Sequence, residues 1–285
     1  MKFSIITPIY NMATSLERAI KSVLAQSYSK WEMIIVDNCS EDHPELIVEK
    51  FSDDKRIRLL SIDEKDRSKA RNYGIQSASG DYITFLDADD TLQEDYLKAY
   101  VEIFQKSSNV IAISDLILIK GNEKSNWSKS KHSGLHKMEY CINHGNMAFA
   151  APASLFLDYR FEGQTGEDRH LLARASGQYD LLFTSMPYYN YVDYVKIESK
   201  EQFVEGKNAN ILSLRSIYKS LGDNYARNYP YDHALFELLI SSFYVAMALG
   251  YKEESRKIIR SELPRPFSLR SFLKYFKAVF FYISK

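Results

Sequence analysis

The sequence predicts an α/β fold in which helices flank a mostly parallel sheet, followed by a helical C-terminal region. Short apolar runs alternate with segments of helical spacing along the first ninety residues, as expected of strand–helix–strand units. The run Met33–Val36 is apolar without a break, which is typical of a strand buried on both faces. Strand patterns fade after Val195, where segments of helical spacing take over. We therefore expect one domain over residues 1–195 and a helical region over residues 196–285.

Each predicted strand is a short apolar run, and each predicted helix repeats apolar residues every three or four positions. The predicted strands are Phe3–Thr7, Met33–Val36, Ile57–Leu60, Asp81–Leu86, Val110–Ile119, Leu181–Thr184 and Tyr189–Val192. The predicted helices are Ala13–Gln26, Pro44–Phe51, Ser68–Ala78, Asp95–Lys106, Asp168–Ala175, Asn208–Leu221, Ala234–Leu249 and Glu253–Leu263. The polar segment Gly121–Gly134, rich in Ser, Lys and Asn, predicts an exposed loop.

Composition excludes several classes of protein. Of the 285 residues, 45% are hydrophobic and 26% charged, which rules out disorder, collagen and coiled coil. Lys+Arg and Asp+Glu both number 37, so no net field draws the chain to nucleic acid, and we expect no nucleic-acid partner. Two cysteines suit a reducing compartment. The N-terminal apolar run is too short for a signal peptide, and no run could span a bilayer, so we expect a cytoplasmic location.

The C-terminal segment has an unusual charge pattern. Residues 263–285 contain no acidic residue but five basic ones: Arg265, Arg270, Lys274, Lys277 and Lys285. Aromatic and aliphatic residues fall at helical spacing on one face: Phe272, Phe276, Val279, Phe280 and Ile283. This pattern predicts a helix lying on an anionic membrane surface, which would make the protein peripheral on the inner face of the cell membrane. The alternative is a final helix packed on the first domain, with its basic side chains extended into water.

Three carboxylates follow the predicted strand that ends at Leu86. Asp87, Asp89 and Asp90 lie within four residues of each other. Ligands of open α/β sheets bind outside the carboxyl ends of the strands. Crowded carboxylates repel one another and need a cation, and oxygen ligands suit Mg²⁺ or Mn²⁺, which usually also bind substrate phosphates. The alternative is a solvated turn in which one aspartate caps the next helix, a role that we expect for Asp90.

Two further segments carry side chains suited to a nucleotide. Asp37 and Asn38 also follow a buried strand, where they could bond to a base or a ribose; the alternative is a simple turn. Arg71 opens a helix just before the Asp87 strand, and its planar guanidinium suits a diphosphate; the alternative is an ordinary surface residue.

The segment Gly166–Asp168 precedes a short predicted helix. A carboxylate at such a junction suits a general base, whereas Asp168 could equally be only the N-cap of the helix. The sequence has no glycine-rich phosphate loop and no Gly-x-Ser-x-Gly motif, and its six histidines show no paired metal spacing.

Taken in order, these segments resemble the inverting family 2 glycosyltransferases of the GT-A fold, a Rossmann-like fold, over roughly residues 1–195. The resemblance is closest to the members that build bacterial surface polysaccharides. The segments that carry it are Thr7–Asn11, Ser27–Tyr28 with Trp31–Asp37, Ala70–Ile75, Gly80–Asp90 with its Asp-x-Asp motif, and Gly166–Asp168.

The resemblance implies a donor that is a nucleoside diphosphate sugar, with a UDP-sugar favoured. It implies a metal, Mn²⁺ or Mg²⁺, on Asp89, with Asp87 assisting or holding the ribose. It makes Asp168 the base that activates an acceptor hydroxyl, with Glu167 secondary. The remaining donor-binding residues that it implies are Pro8, Tyr10, Asn11, Asp37, Asn38 and Arg71. Asn38 departs from the family, which usually has a second acid there, and this leaves the identity of the base open.

The implied product is a surface polysaccharide such as lipopolysaccharide or capsule, made on a glycan or lipid-linked glycan acceptor. Two other readings stay open. A non-catalytic binding module would not need Asp87, Asp89 and Asp168. A sugar nucleotidyltransferase usually has a glycine-rich basic loop near its first strand, and Thr7–Asn11 contains no Gly, Lys or Arg.

Overall fold

A computed structural model describes residues 1–120, 123–127, 134–136, 147–163, 166–176, 178–192, 199–221, 231–248 and 251–262. These residues divide into two compact units, which separate between Val192 and Ser199. The first unit is built on a sheet, and the second is helical.

The strands of the first unit are β1 (Phe3–Ile9), β2 (Trp31–Asn38), β3 (Ile57–Ile62), β4 (Tyr82–Phe85), β5 (Thr91–Leu92), β6 (Val110–Lys120), β7 (Glu123–Trp127), β8 (Gly134–His136), β9 (Phe149–Pro152) and β10 (Asp180–Val192). Its helices are α1 (Ala13–Leu24), α2 (Pro44–Glu49), α3 (Arg67–Gln76), α4 (Tyr96–Lys106), α5 (Leu155–Asp158) and α6 (Glu167–Ala175).

One sheet joins these strands in the order β3-β2-β1-β4-β9-β6-β10-β5, with β7 beside β6 and β8 beside β10. The first four strands along this order pair in parallel. The short strand β9 is antiparallel to both β4 and β6, so β6 and its parallel neighbour β10 run in the same direction as β1. The predicted α/β fold is therefore confirmed, and the sheet is mixed because short reversed strands are inserted among the long ones.

Two apolar layers cover the sheet because side chains alternate along each strand. Ile5 and Met33 face the layer that contains α1 and α4, whereas Ile6 and Ile34 face the layer that contains α3, α5 and α6. All four of these side chains are fully buried. Helices on both faces explain why the strands read as unbroken apolar runs.

Several details of the sheet differ from the sequence prediction, and the short strands β5 and β8 were also not predicted. Glu123–Trp127, placed in an exposed loop, is a strand that pairs antiparallel with β6, and its polar side chains concealed this pairing. β9 was not predicted because its FAAP sequence is too short and alanine-rich to show a strand pattern. β10 is one strand rather than two, with register shifts on both sides of Pro187, whose missing N–H interrupts the ladder.

Strand pairing brings the carboxyl ends of β1 to β4 to one edge. Ile9 pairs with Asp37, Asn38 pairs with Ile62, and Ile6 pairs with Phe85. The loops that follow these strands therefore meet at this edge, which we call the carboxyl edge.

The second unit contains α7 (Lys200–Leu221), α8 (Tyr231–Ala248), α9 (Lys252–Lys257) and a π-helical turn, Ile258–Glu262. Phe203, Phe236, Phe243 and Ile258 form its core. Among the residues described, no helix has the length and apolar character needed to cross a bilayer. The basic and aromatic segment 263–285 lies outside them.

Candidate functional site

The turn after β4 carries the three predicted carboxylates and is held by neighbouring elements. The backbone N–H of Asp87 donates to the Tyr189 hydroxyl at 3.1 Å, and the N–H of Val192 donates to Asp90 Oδ1 at 2.9 Å. Arg18 Nη2 of α1 donates to the carbonyl oxygen of Asp89 at 2.6 Å. The turn is therefore fixed by β10 and α1, and it is not the solvated turn of the alternative interpretation.

The expectation that Asp90 caps the next helix is wrong. Asp90 is 1% exposed, whereas α4 begins at Tyr96 and has Asp95 as its N-cap. Burial and the nearby charge of Asp87 raise the pKa of Asp90 to about 8, although the N–H of Val192 partly offsets this. Asp90 therefore anchors β10 to the turn from inside the core.

The other two carboxylates are better placed for a ligand. Asp87 keeps 30% of its side chain exposed, and Asp89 is half-buried. Burial, followed by the charge of Asp87, raises the pKa of Asp89. The charge of Asp87 thus disfavours the ionised form of Asp89, and a bound cation would relieve this repulsion.

The donor set of the turn fits Mg²⁺ or Mn²⁺ that shares its coordination with a ligand. Within the described ranges, no group of three or more His, Cys, Asp and Glu side chains forms a metal cluster. Asp87 and Asp89 would therefore supply only part of the coordination shell of a metal ion. Mg²⁺ is commonly bound in this way, through one or two carboxylates together with substrate phosphates and water.

Arg71 lies between two carboxylates, so the surface alternative for this residue is wrong. Its side chain is 0% exposed. Nη2 donates to Asp87 Oδ1 at 2.7 Å, and Nη1 donates to Glu167 Oε1 at 2.5 Å. A contact between Arg71 and a diphosphate stays a prediction. Both terminal guanidinium nitrogens, Nη1 and Nη2, already donate to carboxylates.

Glu167 and Asp168 are the first two residues of α6. Gly166 is the N-cap, with φ at +69°, so Asp168 is not the cap of this helix. Glu167 is buried and also lies 3.6 Å from Nη1 of Arg67, an exposed residue at the start of α3. The structure therefore joins Glu167 to the turn after β4 through Arg71.

Asp168 has a raised pKa. Burial is the main cause, and the charge of Arg169 and the backbone N–H of Arg169, 2.8 Å from Asp168 Oδ1, oppose it. Arg71 also acts to lower the pKa. A carboxylate with a raised pKa is a stronger base than an ordinary aspartate, as general-base chemistry requires.

The predicted nucleotide-binding residues lie at the carboxyl ends of β1 and β2 and in the loop after β1. Pro8 pairs with Val36 in the sheet, and Asp37 Oδ1 accepts the N–H of Ser40 at 3.0 Å. Asn11, with φ at +50°, accepts the N–H of Glu41 through Oδ1 at 2.8 Å. These bonds shape the two loops as one unit at the carboxyl edge.

The loop after β3 joins them. Asn38 is 6% exposed, and its Oδ1 accepts the N–H of Asp66 at 2.7 Å. Lys65 Nζ donates to the Tyr10 hydroxyl at 2.6 Å and lies 3.9 Å from the centroid of the Tyr10 ring. The acceptor oxygen of Asn38 is thus already bonded within the protein.

Sequence reasoning missed the contacts that four residues make at this edge: Arg18, Lys65, Arg67 and Tyr189. Lys65 and Arg67 follow the predicted β3, so the rule applied to Asp37 and Asp87 could have identified them. Arg18 and Tyr189 reach the turn only through packing, and no local pattern marks them.

The comparisons with known proteins match the family that the sequence motifs resemble. The sequence model of the family described as "Glycosyl transferase family 2" matches residues 4–162, more than half of the chain. A Bacillus subtilis protein described as a putative teichuronic acid biosynthesis glycosyltransferase, TuaG, is 39% identical over 107 residues. That match covers 37% of this chain and 42% of the relative. The chain spans less than half the length of the curated relatives that it matches.

Two solved structures share the fold. The Staphylococcus aureus TarS fragment 1–349, in complex with UDP-GlcNAc, aligns with a TM-score of 0.67 at 18% identity, covering 100% of this chain and 81% of that one. The Pyrobaculum calidifontis mannosyltransferase PcManGT, in complex with GDP-Man and Mn²⁺, aligns with a TM-score of 0.58 at 15% identity, covering 98% and 86%. At these identities the likeness shows the fold alone.

The Tyr189→Phe substitution should loosen the turn after β4. It removes the hydroxyl that accepts the Asp87 N–H, and a buried donor without an acceptor costs roughly 1–3 kcal/mol. We expect the free energy of unfolding to fall by about 1 kcal/mol or more, measured by chemical denaturation. The Asp87 amide should also exchange faster with solvent, measured by NMR.

Tyr100→Phe is the matched control. Tyr100 packs in the same apolar layer, but its hydroxyl donates to the Ala148 carbonyl at 3.0 Å. It should destabilise the protein without changing Asp87 exchange. Equal exchange rates at Asp87 in both variants would show that Tyr189 does not hold the turn.

Proposed function

We propose a reaction for this chain from one premise: the chain belongs to glycosyl transferase family 2. The reaction moves a sugar from a nucleoside diphosphate sugar to a hydroxyl of a glycan or lipid-linked glycan, with inversion at the anomeric carbon. The observation that carries the proposal is the chain of contacts Asp87–Arg71–Glu167, which ties a turn suited to a metal and a diphosphate to the segment bearing Asp168.

The donor binds along the loops of the carboxyl edge. Pro8, Tyr10, Asn11, Asp37 and Asn38 take the base and ribose in this proposal. A UDP-sugar is favoured, and the TarS structure with UDP-GlcNAc supports a nucleotide sugar on this fold. Asn38 offers an amide to the base in place of the usual acid, and its bonded Oδ1 leaves the amide N–H groups as the more available contacts.

Asp89 and Asp87 hold Mn²⁺ or Mg²⁺ in this proposal. When bound, the ion neutralises the charge of the diphosphate leaving group. The PcManGT complex with GDP-Man and Mn²⁺ supports divalent metal use on this fold. The repulsion between Asp87 and Asp89 described above supports the same assignment for this chain.

Asp168 performs the proton transfer. Its carboxylate accepts the proton of the acceptor hydroxyl as the hydroxyl oxygen forms a bond to the anomeric carbon. The bond between that carbon and the β-phosphate oxygen breaks, and the nucleoside diphosphate leaves from the opposite face. A positioned base contributes roughly 10²- to 10⁴-fold to such a rate. Glu167 stays secondary because it is paired with Arg71.

The biological product that we propose is a surface polysaccharide of the lipopolysaccharide or capsule type. The teichuronic acid relative supports polysaccharide synthesis as the setting. We assign the donor and acceptor sites to residues 1–195 and a cytoplasmic location to the protein. Residues 196–285 would then bring it to an anionic membrane surface, where a lipid-linked acceptor is found.

Asp89→Ala should abolish metal-dependent donor binding and leave the fold intact, because it removes a carboxylate from the metal site. Isothermal calorimetry with UDP and Mn²⁺, together with circular dichroism, measures both properties. Glu94→Ala is the control, since Glu94 is an exposed carboxylate five residues further along the chain, between β5 and α4. Normal UDP–Mn²⁺ binding by the Asp89 variant would remove Asp89 from the metal site.

Asp168→Asn should keep near-normal donor affinity and lower transfer by at least roughly a hundredfold. The wild-type rate should fall as the pH is lowered through the raised pKa of Asp168, because only the ionised carboxylate accepts the proton. The variant should lack this fall. Transfer by the variant at the wild-type rate would exclude Asp168 as the base.

The products of the same assay separate the other functions. Release of nucleoside diphosphate supports a glycosyltransferase, whereas release of inorganic diphosphate would indicate a nucleotidyltransferase. If the protein shows no transfer and no donor hydrolysis with Mn²⁺, it is a binding module.

Replacing Arg270, Lys274 and Lys277 by Gln in the full-length chain should weaken membrane binding. Each basic residue near an anionic surface contributes about 1 kcal/mol, so the three together correspond to roughly a hundredfold in partitioning. Flotation with phosphatidylserine vesicles at low salt measures this. The control replaces Lys30, Lys55 and Lys98, which are exposed on the first unit. Equal flotation of the two variants, or none by the wild type, would contradict the membrane assignment.

A further inference from the structure

We propose that Arg71 is a positioning residue, which fixes the first turn of α6 relative to the turn after β4. This inference rests on the proposed function, because those two segments are the ones assigned there to the base and to the metal. Arg71 acts through Asp87 and Glu167 rather than by contact with the reacting atoms. No other side chain among the described residues forms ion pairs with both of these carboxylates.

The geometry of the guanidinium makes this role specific. Nη1 and Nη2 belong to one rigid plane, and they bind oxygens of Glu167 and Asp87 at 2.5 and 2.7 Å. One planar group thus sets the separation of two carboxylates that lie 80 residues apart in the sequence. A lysine ammonium is a point charge without this fork, so it cannot reproduce both bonds in the same geometry.

The burial of Arg71 points to the same role. The side chain is 0% exposed, and its Nε–H has no hydrogen-bond partner in the described part of the chain. A buried charge with one unsatisfied donor is costly unless its remaining bonds compensate. Here the remaining bonds run to Glu167, which is 5% exposed, and to Asp87, which is 30% exposed. Arg71 therefore links the buried carboxylate of Glu167 to the carboxylate of Asp87, which is exposed enough to contact a ligand.

The N-terminus of α6 has no side-chain cap. The N-cap residue is Gly166, which has no side chain to bond to the free N–H groups of the first turn. Asp168 follows Glu167 directly, so a shift of the Glu167 backbone would also move Asp168. A misplacement of about 1 Å at a reacting group can cost roughly a hundredfold in rate.

The test is a double-mutant cycle in the full-length protein with Arg71→Lys, Glu167→Gln and both together. Each single change should lower kcat for transfer roughly ten- to hundredfold, while the Kd for UDP with Mn²⁺ changes by less than about threefold. The double variant should be no slower than the slower single variant, because both changes break one link. Arg174→Lys is the matched control: Arg174 lies on α6, the helix of Glu167, and its side chain is 18% exposed, but it pairs with Glu162. It should keep kcat within about twofold.

Two kinetic outcomes would overturn the proposal. If Arg71→Lys weakens UDP–Mn²⁺ binding and leaves kcat unchanged at saturating donor, Arg71 is a donor ligand. If the losses of the single variants multiply in the double variant, Arg71 and Glu167 act independently. If the Arg71→Lys variant fails to fold, Glu167→Gln alone tests whether kcat falls while the Kd for UDP with Mn²⁺ is kept. This substitution keeps the size of the side chain and removes its charge.

Hydrogen exchange separates this proposal from the proposed function. The His170 amide donates to the Gly166 carbonyl at 3.0 Å and reports on the first turn of α6. Its exchange rate should be higher in the Glu167→Gln variant and unchanged in the Arg174→Lys variant, whether or not the wild type transfers a sugar. Unchanged exchange in the Glu167→Gln variant would overturn the positioning role. If exchange is faster in this variant but the wild type transfers no sugar, only the proposed function is contradicted.

Discussion

The common direction of the long strands is the constraint on which the rest of the site depends. β1, β2, β3 and β4 pair in parallel, so the loops that follow them emerge at one edge of the sheet. Two apolar layers cover the faces of the sheet, so polar side chains gather at its edges. The residues after β1, β2 and β3 are bonded to one another there, and the turn after β4 lies beside them in the order of the strands.

Electrostatics then organise this edge. Asp87, Asp89, Asp90, Glu167 and Asp168 concentrate carboxyl groups, and burial raises the pKa of Asp89, Asp90 and Asp168. Arg71 balances part of the charge from inside the protein, while Arg18 and Arg67 approach from two different helices. The remaining repulsion between Asp87 and Asp89 is the property that suits a divalent cation and a diphosphate.

Most elements of the fold could be predicted because their signals are local. β2 reads as an apolar run since both of its faces are covered, and α1 repeats its apolar residues at helical spacing because one face is buried. β7 and β9 could not be predicted, since a polar strand and an alanine-rich strand depend on the neighbours that pair with them. The continuity of β10 through Pro187 was hidden for the same reason, because its register is set by β6.

The sequence by itself determined which chemical groups stand at the carboxyl edge. A carboxylate that directly follows a strand must lie near the end of that strand, so Asp37, Asp87 and Asp89 were placed by local pattern alone. Only the tertiary structure decided what each group does for its neighbours. Asp90 became a buried anchor for β10, Asp168 lay inside its helix rather than at the cap, and Arg71 closed a link between residues 16 and 96 positions away. Such partners are chosen by strand register and by the packing of helices on the sheet. These depend on the whole chain at once, and no short stretch of sequence contains them.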